Sequence, residues 1–172
     1  MAKGDTKADK NSANSRANDA ANTGASLPLT AHAQYIKDLS FESPNPIAAF
    51  TNESNAQPNI SVSVQAKAAN LGGRNFEIVL DFRINATREE KPLFLTELSY
   101  AGIVSLGEQV EENEAGELLM VEAPRLFFPF ARNILSDVIR DGGFPPLMLA
   151  PVDFATLYEQ QKAQATPSQS VN

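Results

Sequence analysis

The sequence predicts an α+β fold, a four-stranded antiparallel sheet followed by one long and one short helix packed on one face. Apolar and polar residues alternate in four successive stretches between residues 34 and 104, the two-residue period of half-buried strands. Two of the three joins are short, Gly72-Gly73 and residues 87–91, which favours antiparallel neighbours over parallel strands with helical crossovers. Beyond Pro124 the apolar period lengthens to three and four residues, as on one face of a helix. Strands first and helices last is an α+β order.

The first strand begins at Gln34, with Tyr35, Lys37, Leu39 and Phe41 on one parity and Ile36, Asp38, Ser40 and Glu42 on the other. Pro44 and Pro46 end it, and a long connection holding Ile47 and Phe50 runs to Pro58. Ile60, Val62 and Val64 alternate with Ser61, Ser63 and Gln65 in the second strand, and Gly72-Gly73 suits a tight hairpin because glycine accepts positive φ. Phe76, Ile78, Leu80, Phe82 and Ile84 share one face of the third, opposite Glu77, Val79, Asp81, Arg83 and Asn85. In the fourth, residues 93–104, Phe94, Thr96, Leu98 and Tyr100 oppose Leu93, Leu95, Glu97 and Ser99.

Residues 107–122 carry six glutamates without a basic residue, and Gly107 and Gly116, and read as a solvated loop. Pro124 fits the first turn of the long helix, whose apolar face uses Phe127, Phe130 or Ala131, Ile134, Leu135, Val138 and Ile139 before Gly142-Gly143. Pro129 predicts a bend or a later start. Asp153 reads as the N-cap of the short helix, with Phe154, Leu157, Tyr158 and Gln161 along one side. Residues 1–31 are rich in Ala, Asn, Ser, Asp and Lys, and 163–172 are similarly polar, so both read as disordered tails around one folded unit at 32–162.

Composition narrows function. The 172 residues contain no cysteine, so disulfides, thiolate metal sites and cysteine nucleophiles are excluded. No apolar run spans a bilayer or has signal-peptide length at the N-terminus, which predicts a cytoplasmic protein without direct membrane insertion. Net charge is −7 and the first 33 residues are near neutral, so the folded part is acidic, repels nucleic acid and favours a basic protein partner. His32 is the sole histidine and stands at the edge of the tail, unsuited to a catalytic triad. Glu112-Asn113-Glu114-Ala115-Gly116 lacks the leading Asp and ligand spacing of a calcium loop. The glycine pairs lack the spacing and Lys-Ser/Thr ending of a phosphate loop. The reading is therefore of a non-enzyme with no metal and no cofactor, acting through surfaces.

Three strings are specific: Gln34-Tyr35-Ile36-Lys37-Asp38-Leu39-Ser40-Phe41-Glu42-Ser43-Pro44-Asn45, Leu126-Phe127-Phe128-Pro129-Phe130-Ala131-Arg132, and Phe144-Pro145-Pro146-Leu147-Met148-Leu149-Ala150-Pro151-Val152-Asp153-Phe154. In this order they resemble the SecB protein-export chaperone family, over roughly residues 35–161. The resemblance implies a homotetramer, a dimer of dimers with the long helices at the interface. Such a protein holds unfolded precursors without nucleotide and delivers them to the SecA ATPase. Asp38, Glu42, Leu95 and Glu97 match the positions with which SecB-like proteins recognise SecA.

Unfolded clients share exposed apolar side chains and unpaired backbone, so apolar and aromatic patches are the candidates for holding them. They are Ile47 and Phe50 in the connection, Phe144 and Met148 after the long helix, and Phe154, Leu157 and Tyr158 on the short helix. The alternative for each is a place in the core. Two other functions fit the same features: a small carrier enclosing one hydrophobic molecule, and a SecB-like chaperone serving a non-export client such as an antitoxin.

Overall fold

The structure, a computed structural model, describes residues 27–51 and 56–165. Strands β1 (Leu29–Glu42), β2 (Asn59–Gly72), β3 (Asn75–Arg88) and β4 (Lys91–Leu106) form one antiparallel sheet in the order β1-β4-β3-β2. Helices α1 (Pro46–Thr51), α2 (Glu112–Glu117), α3 (Ala123–Asp141) and α4 (Phe154–Ala165) complete the fold, with a π-helical turn at Leu118–Glu122 joining α2 to α3. The long connection after β1 carries α1 and takes the chain from one edge of the sheet to the other.

Both hairpins are set by local chemistry. Gly72 and Gly73 take φ of 115° and 58°, values open to glycine and strained for other residues, and the Gly72 N–H donates to Asn70 Oδ1 at 2.7 Å. In the second hairpin Arg88 pairs with Lys91, and Glu89 and Glu90 take φ of 51° and 63°, so a two-residue turn forms without glycine.

Two expectations are corrected in β1. The strand begins at Leu29, not Gln34: Leu29–Ala31, assigned from sequence to the tail, pair with Leu106, Ser105 and Val104. Leu29 also packs against the core, and the Gly107 N–H donates to Pro28 O at 3.0 Å. The rest of the expected N-terminal tail, residues 1–26, lies outside the described residues, as do 166–172; α4 extends through 163–165. The second correction is of alternation. The ladder shifts between Ile36 and Asp38, leaving Lys37 as the extra residue of a bulge. Ile36 opposes Tyr100 while Leu39 opposes Leu98, so Ile36, Leu39 and Phe41 share the helix-facing side, and Tyr35 and Lys37 turn to the outer side where both bond Glu77. Period-two reading places Tyr35 with Leu39 because it has no signal for one inserted residue.

The acidic segment is also not a loop. The Glu111 N–H donates to the Glu114 carboxylate at 3.3 Å, a reciprocal cap that starts α2. The π turn then sends Leu119 and Val121 into the core. Helix α3 starts at Ala123 with Pro124 in its first turn and continues through Pro129, whose missing N–H removes the usual i+4 donor to the Arg125 carbonyl. Asp153 caps α4 as expected: the Thr156 N–H donates to Oδ1 at 3.1 Å and the Thr156 hydroxyl to Oδ2 at 2.8 Å. These bonds hold the Asp153 carboxyl below its ordinary pKa.

The core lies between the sheet and α3. Ile78, Leu80, Phe82 and Ile84 of β3 and Leu98 and Val104 of β4 meet Phe127, Ala131, Leu135 and Ile139. Thr96, buried among them, is satisfied by donating to Ser40 O at 2.7 Å. Gly102 leaves room for the Phe127 ring against the sheet, since a Cβ there would overlap that ring and stand 3.0 Å from Ala33 O. Gly102→Ala therefore overpacks the centre of the fold. A loss of about 1–3 kcal/mol is expected, read as a lower urea midpoint with unchanged m-value.

Candidate partner-binding surfaces

Two surfaces are built on opposite sides of the sheet. The outer one follows from register, because directly opposed residues of antiparallel strands point to the same face. Glu42 opposes Leu95, Ser40 opposes Glu97 and Asp38 opposes Ser99 on β1 and β4; Asn85 opposes Leu95 and Arg83 opposes Glu97 on β3 and β4. Thr96, Leu98 and Tyr100, between them, are buried on the other face. The four matched residues thus share one face, with Asp38 and Glu42 exposed and Leu95 and Glu97 half-buried.

Charges on this face are sorted by pairing. Lys37 reaches Glu77 at 2.8 Å, Lys67 reaches Asp81 at 2.6 Å, and Arg83 pairs with Glu97. Lys37 first, and then the Tyr35 hydroxyl, hold the Glu77 carboxyl below its usual value. Burial pushes Asp81 up, but donation from Lys67 and Ser99 outweighs it and the net shift is downward. Among the described residues Asp38 and Glu42 form no ion pair. Of these two open carboxylates, Glu42 lies beside Leu95 and Asp38 lies further along the same face, opposite Ser99.

On the helix side the connection and the end of α3 bring aromatic rings together. Phe144 lies 4.9 Å from Phe94 and 5.2 Å from Phe50 between ring centroids, and Phe41 stacks on Phe94 at 5.6 Å. Gly143, with φ of 88°, leaves room for the Phe50 ring. Phe50 is 54% exposed and Ile47 75% exposed, whereas Phe144 is half-buried. The cluster thus has a packed base and an open rim. Phe41 and Phe94, on its base, were not singled out from sequence; their parity on β1 and β4 marks them only as inward.

The other sequence candidates are placed differently. Met148 is exposed, its Sδ 3.6 Å from Ser136 Oγ of α3. Leu157 and Tyr158 are half-buried against the core, with Lys162 Nζ 4.6 Å above the Tyr158 ring. Phe154 is corrected outright: it is 1% exposed and packs edge-on against Phe128 at 6.0 Å, so it is a core residue with no surface to offer a client. As the first residue of α4, its side chain seals that helix onto α3.

A sheet armoured by helices on one face, with an open acidic patch on the other and an aromatic cluster at its end, defines a binding protein that works through surfaces. The sequence matches the family described as preprotein translocase subunit SecB over residues 22–165. Proteins described as protein-export protein SecB are similar along most of their length: that of Rhodospirillum centenum is 46% identical over 80% of this chain and 81% of its own. That of Paramagnetospirillum magneticum is 42% identical over 88% of this chain and 97% of its own. The fold is similar to that of a Mycobacterium tuberculosis SecB-like chaperone solved in complex with an antitoxin peptide, with a TM-score of 0.57 at 9% identity, covering 73% of this chain and 90% of that one. The chain belongs to the SecB family and is a protein-export chaperone. No helix among the described residues is long and apolar enough to cross a membrane.

Proposed function

We propose that this chaperone binds unfolded precursor proteins in the cytoplasm, keeps them from folding, and delivers them to the SecA ATPase through the outer face of its sheet. The observation that carries this reading is the separation of the two surfaces within a SecB chain. The exposed ring of Phe50 against Phe144, with Ile47 exposed on the same helix, α1, is apolar and suits segments that have no fixed fold. The patch of Asp38, Glu42, Leu95 and Glu97 is acidic around one aliphatic side chain and suits a basic segment of SecA, with charge steering the encounter. Met148 adds an adaptable thioether on the helix side, and Leu157 and Tyr158 offer partial surfaces there.

Holding needs no bond chemistry and no nucleotide: a binder of the unfolded state alone draws the folding equilibrium toward itself by mass action. Assembly as a homotetramer fits the exposed Leu126 and Phe130 on α3, which are 51% and 53% exposed within one subunit and large for a free helix face. Light scattering coupled to gel filtration tests the reading. A tetramer that retains a urea-denatured precursor, and ignores the same precursor once folded, is the expected result. A species indifferent to both forms would overturn it.

A further inference from the structure

Glu97 differs from the other carboxylates of the patch in having an internal cation. Arg83 of β3 stands directly opposite it in the ladder, the two side chains form an ion pair, and they remain 59% and 42% exposed. The neighbouring bases do not share this position: Lys37 is engaged by Glu77, and Lys67 by Asp81. Asp38 and Glu42, on the edge strand, form no such pair. A basic segment arriving on this face thus meets two open carboxylates and one that is already neutralised.

We propose that Arg83 is a specificity-determining residue of this surface, an intramolecular competitor that a basic partner must displace from Glu97 before using it. The inference rests on the reading that the outer face receives SecA. An exposed ion pair is weak because water and salt screen it, so displacement attenuates binding without blocking it. Its consequence is discrimination. A segment with a single cation is satisfied by Asp38 and Glu42 and leaves the Arg83–Glu97 pair intact, whereas a segment with several cations gains the third carboxylate only by displacing the guanidinium. Arg83 therefore lowers affinity for all partners that use Glu97 and for no others.

A double-mutant cycle tests this in the full-length protein, with SecA as the probe and titration calorimetry as the readout. Arg83→Gln is expected to tighten SecA binding about 1.5-fold to fivefold. In a Glu97→Gln background the same change is expected to have no effect, an outcome that a purely structural role for Arg83 would not produce. Circular dichroism and gel filtration on each variant confirm that it is folded. Weaker binding by Arg83→Gln would overturn the proposal, since the arginine would then be positioning Glu97 or touching SecA itself. An equal change in both backgrounds would overturn it too. The two readings fail separately. If wild-type protein binds SecA and Asp38→Lys abolishes that binding while Arg83→Gln does nothing, the surface stands and the competitor falls. If wild-type protein does not bind SecA at low salt, the partner assignment falls and the competitor with it.

Discussion

Replacing both Asp38 and Glu42 with lysine is expected to weaken SecA binding by at least thirtyfold, while capture of a denatured precursor stays within about twofold of wild type. Both carboxylates are exposed, lie on the outer face and form no ion pair among the described residues, so they are the charges most available to a cationic segment. Reversal removes two attractions and adds two repulsions, and like-charge juxtaposition across an interface is costlier than the loss of a favourable pair. Stability should hardly change, because exposed charges without partners contribute little to folding. Raising salt should weaken the wild-type SecA complex more than the precursor complex, since the first is charge-driven and the second mainly apolar. Calorimetry with SecA and a refolding-delay assay with precursor check the two arms separately. Equal loss in both would show that the acidic face and the client surface are not separate.

The second large effect divides the aromatic residues by what they do. Phe154→Ala empties a fully buried site between α4 and α3, and a loss of about 3–5 kcal/mol is expected, a large fraction of the stability of a single domain. Phe50→Ala removes a ring that is 54% exposed and touches Phe144 along one side, so a loss under about 1 kcal/mol is expected. Client capture should show the reverse order once both variants are compared under conditions where each is folded: Phe50→Ala impaired several-fold, Phe154→Ala near wild type. Urea denaturation gives the first comparison and precursor retention on gel filtration the second. A Phe50→Ala variant that holds precursor as well as wild type would remove the aromatic rim from the client surface.

Phe154 also shows where sequence reading reaches its limit. Its position after a capping Asp153 marks helix and face correctly, yet burial depends on which element packs above it, and that partner, Phe128 of α3, is 26 residues away with no local signal. The strands were legible because their core faces are mostly apolar, as in Ile78, Leu80, Phe82 and Ile84, and the outer face was legible for the same reason: Leu95 and Glu97 fall between buried neighbours. Whether β1 and β4 lie side by side is a matter of pairing rather than periodicity. The adjacency of Glu42 to Leu95 and of Ser40 to Glu97 therefore emerges only with the sheet order. Bulges are silent in an alternating pattern, and so Tyr35 and Ile36 exchanged faces while Asp38 and Glu42, beyond the extra residue, did not. The acidic segment misled because glutamate content dominates its composition. Its helical start depends on one reciprocal cap at Glu111 and Glu114 and on the apolar run that follows. Arg83 was visible as an outward residue of β3, but its bond to Glu97 required the register between the strands.

Client and SecA are expected to occupy separate surfaces of the same molecule at the same time, and formation of a ternary complex is the decisive measurement. The protein is loaded with a denatured precursor, SecA is added without nucleotide, and the mass of the eluting species is read by light scattering. One peak containing all three components, lost on Asp38→Lys with Glu42→Lys while the precursor complex persists, is the predicted result. Exclusion of SecA by bound precursor would overturn the separation of surfaces, because the two partners would then be competing for one of them.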